Sequence, residues 1–162
     1  MIYFFNPHHT IITVFNMKKI IFVLILLFTT FVHSQVSLKY NQVRNINSQI
    51  STMKSDLRTI SKTFDKSDEK NDSVQLIRIY QVVGLRTNEL ESIYLLYDMV
   101  SKENRVYRDK FVPLTFKIIN EGYLYDIEDL NSLIGYTNNY TIKKYSEDLK
   151  SEIRKIQSVM NQ

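Results

Sequence analysis

Residues 43–64, VRNINSQISTMKSDLRTISKTF, carry an apolar side chain at every third or fourth position, with polar residues between. Extended back to Val36, the series Val36, Lys39, Val43, Ile46, Ile50, Met53, Leu57, Ile60 and Phe64 alternates in spacings of three and four, the a and d positions of a heptad. Only Lys39 breaks it. A stripe of two positions in seven covers one neighbouring helix rather than a broad core. Helix 1 is therefore expected over about 36–64, lying along a single partner.

The flanking e and g positions bear on which partner. They read Gln42, Asn47, Gln49, Ser61 and Thr63, with only Lys54 and Asp56 charged, so no charge code specifies a second copy of helix 1. Helix 2 is the better candidate. LIRIYQVVGL (76–85) and IYLLYDMV (93–100) are apolar or Tyr on nearly all sides, the pattern of a helix in the middle of a bundle. Gly84 inside it costs about 1 kcal/mol against Ala, acceptable where a neighbouring backbone comes close.

The remaining punctuation is sparse. DKSDEKND (65–72) is read as a charged loop leading to an N-cap at Asp72 or Ser73, and helix 2 as running over about 73–111, with a break allowed at 101–104. Pro113 marks a restart, since proline suits a first turn and not a helix interior. Helix 3, about 113–134, keeps one stripe through Val112, Phe116, Ile119, Tyr123, Ile127, Leu130 and Ile134. Gly122 within it is read as a kink and Gly135 as the C′ residue. Asn138 and Asn139 make the turn into helix 4, about 140–160, which carries Ile142, Tyr145, Leu149, Ile153, Ile156 and Met160 on one face. The fold class expected is all-α: an elongated three- to four-helix bundle with coiled-coil-like packing of helix 1 on helix 2, forming a single domain over 35–162.

The N-terminal part reads differently. MKKIIFVLILLFTTFVHSQ (17–35) has the lysines, apolar segment and small residue before a cut that make a secretory signal, with Val32 and Ser34 at −3 and −1 and cleavage before Gln35. Its apolar run, Ile20 to Val32, is shorter than the roughly 20 residues that span a bilayer, so membrane attachment is expected only through an uncleaved signal. Residues 1–16 look like an upstream extension from a misplaced start. An exported protein, periplasmic or extracellular and soluble after cleavage, is the expectation.

Removing 1–34 empties the chain of much chemistry. His8, His9 and His33 all lie there, and the sequence has no cysteine and no tryptophan. Without histidine the Glu-x-x-His di-iron pattern, the usual zinc sets and His-dependent triads cannot be built. The 21 basic residues fall to 19 against 17 acids, no balance for nucleic acid. Ser51–Lys54 and Ser67–Lys70 match Ser-x-x-Lys but lack the companion motifs of penicillin-recognising enzymes. The loop from Asp65 fails the calcium pattern, with Lys70 at the sixth position and Leu76 at the twelfth. No catalytic, cofactor or metal residue is assigned.

What remains are surfaces. Tyrosine is large, fairly rigid and amphipathic, and so favoured at interfaces; Tyr136, Tyr140 and Tyr145, near the helix 3 to helix 4 turn, are the candidate exposed patch. The basic face Arg44, Lys54, Arg58 and Lys62 of helix 1 is the second. With Lys39, helix 1 holds five basic residues against Asp56, while helix 3 holds Lys117 against Glu121, Asp126, Glu128 and Asp129. Two arrangements fit: the faces meet across the bundle, or each is solvated.

The function expected is that of a non-enzymatic helical bundle acting through protein partners, a monomer or weak oligomer serving as an accessory component of an envelope or secretion assembly. A chaperone-like holdase is the alternative. In size, export and modest basicity the chain is similar to periplasmic chaperones with coiled-coil arms, but it shows no alternating strand segment for their oligomerising body. A small envelope hydrolase using paired carboxylates is the third.

Overall fold

A computed structural model describes residues 38–100 and 104–162. The signal segment 17–34, the extension 1–16, Val36 and residues 101–103 of the expected break lie outside them. The described residues form four helices and no strand: α1 (38–60), α2 (Ser67–Val100), α3 (Val112–Tyr136) and α4 (Tyr140–Met160). No described helix is long and apolar enough to cross a membrane.

Helix pairing is antiparallel between sequence neighbours. Asn47 of α1 donates to Asn88 and Glu91 of α2, both at 2.5 Å. Arg86 of α2 donates to Asp126 of α3, and the Tyr94 and Phe116 rings lie 5.3 Å apart. Lys150 and Gln157 of α4 donate to Asn131 and Asn120 of α3. The Tyr80 hydroxyl of α2 donates to the Tyr145 carbonyl of α4 at 2.8 Å, which ties the remaining pair. The result is an up-down-up-down bundle in which every helix contributes to one core.

The a and d stripe of α1 faces that core. Val43, Ile46, Ile50, Leu57 and Phe64 are buried, and Met53 and Ile60 pack partly against them. Fully burying each such side chain contributes about 1.5–3 kcal/mol. The helix ends in a 3₁₀ turn, Ser61–Thr63. There Ser61 and Thr63 hydroxyls take up the Arg58 and Ile60 carbonyls, and Phe64 turns extended and plugs the core.

Several boundaries differ from the sequence expectation. The stretch 67–72 is helix, not loop: α2 starts at Ser67 with Asp68 and Glu69 in its first turn, where negative charge suits the N-terminal dipole. Ser73 is an interior residue whose hydroxyl donates back to the Lys70 carbonyl. At the other end α2 is described to Val100 and Asn104 is not helical, within the break allowed at 101–104, so residues 105–111 belong to the next helix. Asn104 caps that helix by accepting from the Tyr107 N–H at 3.1 Å.

Pro113 consequently marks no restart. The chain is already helical at 105–106 and passes through a π-turn, Tyr107–Phe111, closed by the Val112 N–H on the Tyr107 carbonyl. Proline offers no N–H and crowds the carbonyl four residues back. Widening the preceding turn to i→i+5 bonding accommodates both defects without ending the helix.

The glycines behave differently from expectation. A Cβ at Gly84 would meet nothing within 4 Å, so no neighbouring backbone approaches it. Gly122 makes room for the Arg86 guanidinium, which lies where a Cβ would stand. Gly135 is not C′: α3 runs on to Tyr136 and no described glycine has positive φ. Thr137, extended at φ −70° and ψ 138°, closes the helix with its N–H on the Leu133 carbonyl. Asn139 then caps α4 by accepting from the Ile142 N–H at 3.1 Å.

Candidate contact surfaces

The two groups of candidate residues fall on separate parts of the bundle. Tyr136 and Tyr140 flank the connection Thr137–Asn139 and are 52 % and 79 % exposed. Tyr145, one turn into α4, is half-buried against the core and belongs with the packing rather than the exposed pair. Burial and the nearby charges of Asp56 and Asp148 raise its phenol above the ordinary value.

Tyr136 reaches across to α2, its hydroxyl donating to Gln75 at 2.6 Å. Partial burial raises its phenol, and Asp72 adds to the effect. Beside it the start of α2 and the α3–α4 connection enclose a cleft of about 460 Å³, lined by Asp68, Asn71, Asp72, Asn138, Asn139 and others. This end combines two exposed aromatic rings with hydrogen-bonding side chains, a mixture suited to a protein contact.

Apart from Lys39, the basic residues of α1 and its 3₁₀ end lie on one side. At 3.6 residues per turn, Arg44, Lys54, Arg58 and Lys62 fall within about 80° of one another. Arg44, Arg58 and Lys62 are exposed and Lys54 is partly so. None of the four forms an ion pair among the described residues. The acids of α3 do not reach them: Asp126 pairs with Arg86 of α2 and Glu121 with Lys117 of its own helix. Neither arrangement holds throughout: Glu121, Glu128 and Asp129 are exposed, Asp126 is buried against Arg86, and no ion pair joins the two faces among the described residues.

Arg86, Gly122, Asp126, Thr87 and Tyr123 form a polar node between α2 and α3. Arg86 also donates to the Gly122 carbonyl at 3.0 Å, and the Thr87 and Tyr123 hydroxyls share a 3.0 Å hydrogen bond. Burial pushes the Asp126 carboxyl and the Tyr123 phenol up, more than Arg86 and Thr87 respectively bring them down. No step of catalysis follows from one carboxylate already held by arginine; the node fixes the register of the two helices.

A surface that sequence reasoning missed runs along the same groove. Val82, Leu85 and Leu96 of α2, Phe111 of the π-turn, and Leu114, Ile118 and Tyr125 of α3 are all exposed. The Arg86–Asp126 and Tyr94–Phe116 contacts set Leu85 level with Tyr125 and Leu96 level with Leu114. The signal was present in the all-round apolarity of helix 2. Reading it as a wholly surrounded helix is corrected here: α2 touches the other three helices yet leaves one apolar flank uncovered.

No family model, no curated protein and no solved structure matches this chain. What defines it is its own geometry, an all-α four-helix arrangement with these exposed faces.

Proposed function

We propose that this protein is an exported, non-enzymatic helical bundle that acts through protein contacts, as an accessory component of an envelope or secretion assembly. The observation that supports this reading is the exposed pair Tyr136 and Tyr140 at the cleft-bearing end, two rings that contribute little to the core yet stand where a partner can cover them. Export rests on the signal pattern of residues 17–34. The α1–α2 pairing along the a and d stripe is taken as coiled-coil-like, and the basic face of α1 as a second contact.

The test is crosslinking in envelope extract with identification of what is captured. Tyr136→Ala and Tyr140→Ala should abolish capture of a specific partner while leaving helicity and melting unchanged. An unchanged capture pattern, or none that reproduces, would remove the tyrosine end from consideration. N-terminal sequencing of the exported form should begin at Gln35.

A further inference from the structure

The uncovered flank of α2 and α3 is too large to be incidental. Seven large apolar side chains, each roughly half exposed, present on the order of 700 Å² per molecule, against about 800 Å² per partner in a standard interface and a few hundred Å² in the usual largest patch of a monomer. From the end of the π-turn along α3, the stripe Phe111, Leu114, Ile118 and Tyr125 keeps spacings of three, four and seven, the repeat with which one helix seats against another.

We propose that a second copy of this chain covers this face, with the two α3 helices antiparallel about a two-fold axis at Ile118. Charge selects this occupant and this direction. Residues 104–117 carry Arg105, Arg108, Lys110 and Lys117 against Asp109, whereas residues 118–136 carry Glu121, Glu128 and Asp129 besides the Asp126 that Arg86 neutralises. From α2, Glu89 and Arg78 flank the acidic half and cancel. One end of the strip is thus basic and the other acidic.

Antiparallel pairing lays each basic end on the partner's acidic end, and brings Lys117 near the partner's Glu121, while parallel pairing would oppose like charges. An isologous contact of this kind needs one patch complementary to itself, which this strip is. At the axis Ile118 meets its own copy, and Phe111 meets Tyr125. The proposal does not depend on the function proposed above, because it uses another face.

Light scattering of the purified protein between about 1 and 200 μM should give twice the single-chain mass, weakening with salt as exposed charges are screened. A single-chain mass throughout overturns the proposal. Ile118→Glu should give single chains with unchanged helical circular dichroism; a dimer that survives it also overturns the proposal. Lys117→Glu should raise the dissociation constant at least tenfold and the exchange Lys117→Glu with Glu121→Lys should restore it. Because the chain has no cysteine, Ile118→Cys offers a clean second readout that does not require disrupting the interface. It should oxidise to a linked dimer far faster than Tyr140→Cys, and equal rates would count against the two-fold.

Discussion

The guanidinium of Arg86 occupies the position that a side chain on residue 122 would take, and from there it donates to both the Gly122 carbonyl and the Asp126 carboxylate. The glycine therefore leaves the room in which this polar contact is made. The backbone φ there is not positive.

Gly122→Ala should accordingly destabilise the protein by about 1–3 kcal/mol, although alanine is the better helix former, because displacing Arg86 leaves a buried carboxylate without its cation. Gly84→Ala meets no neighbour and should stabilise by about 0.5–1 kcal/mol. Urea denaturation of the two variants gives shifts of opposite sign; a matching sign would mean that Arg86 simply swings clear.

Tyr80 and Tyr94 should respond oppositely to loss of the hydroxyl. Tyr80 is fully buried and donates to the Tyr145 carbonyl, whereas the Tyr94 hydroxyl has no partner among the described residues. Tyr80→Phe should cost about 1 kcal/mol and Tyr94→Phe should be neutral or stabilising by a similar amount. Chemical denaturation midpoints decide.

Alkaline titration follows from the same burial. Burial pushes the Tyr94 phenol up to about 12, and raises Tyr80 and Tyr123 further. The unfolded chain ionises these groups near 10 and the folded one later, so their contribution is intact below about 10 and lost as pH rises through the folded values. Ultraviolet difference titration should show these phenols ionising only with unfolding, in a step that Tyr94→Phe makes smaller.

Asp126 has a pH signature of its own. Burial lifts its carboxyl above the usual 3.8 despite the arginine beside it. The folded protein then holds the proton more tightly than the unfolded one, so this group's contribution is greatest in acid and declines as pH rises through the raised value. The stability difference between the natural protein and Asp126→Asn should therefore shift against the natural protein as pH rises from the usual carboxylate range through the raised value. Paired denaturation curves across that window measure it, and a flat difference refutes it.

Ile50 is 1 % exposed at the centre of the α1 stripe. Ile50→Asp should abolish the cooperative thermal transition at all protein concentrations, since an unpaired buried charge exceeds the total stability of many domains of this size. A variant that melts normally and only changes mass would move the α1 stripe from an internal partner to an external one.

Much of this architecture is legible in the sequence because period and burial are linked directly. Val43, Ile50 and Leu57, and likewise Ile142, Leu149, Ile153 and Ile156, stand at helical spacing and are all buried. What local pattern does not carry is the other side of each contact. Gly122 reads as a kink because nothing near it in sequence announces an arginine 36 residues away. Pro113 reads as a start because the compensating π-turn has no composition of its own. The exposure of Leu85 and Ile118 is likewise invisible to periodicity, which counts apolar positions without saying which of two stripes is covered. Of the candidate surfaces, Tyr136 and Tyr140 stand exposed as anticipated, but Tyr145 is drawn inward because its place in the α4 stripe puts it beside the core.

The three-residue connection Thr137–Asn139 also bears on the order in which the molecule assembles. With an extended Thr137 and an asparagine cap it closes at little loop entropy, so the α3–α4 hairpin is a natural early-forming unit. Yet α4 follows the other three helices in the chain and supplies Ile142, Leu149, Ile153 and Ile156, all fully buried. The stripe of α1, though synthesised first, must wait for nearly the whole chain before its core exists. During translation the bundle should remain open to chaperones and protease until α4 emerges, and then fold quickly by docking one preformed hairpin onto the rest.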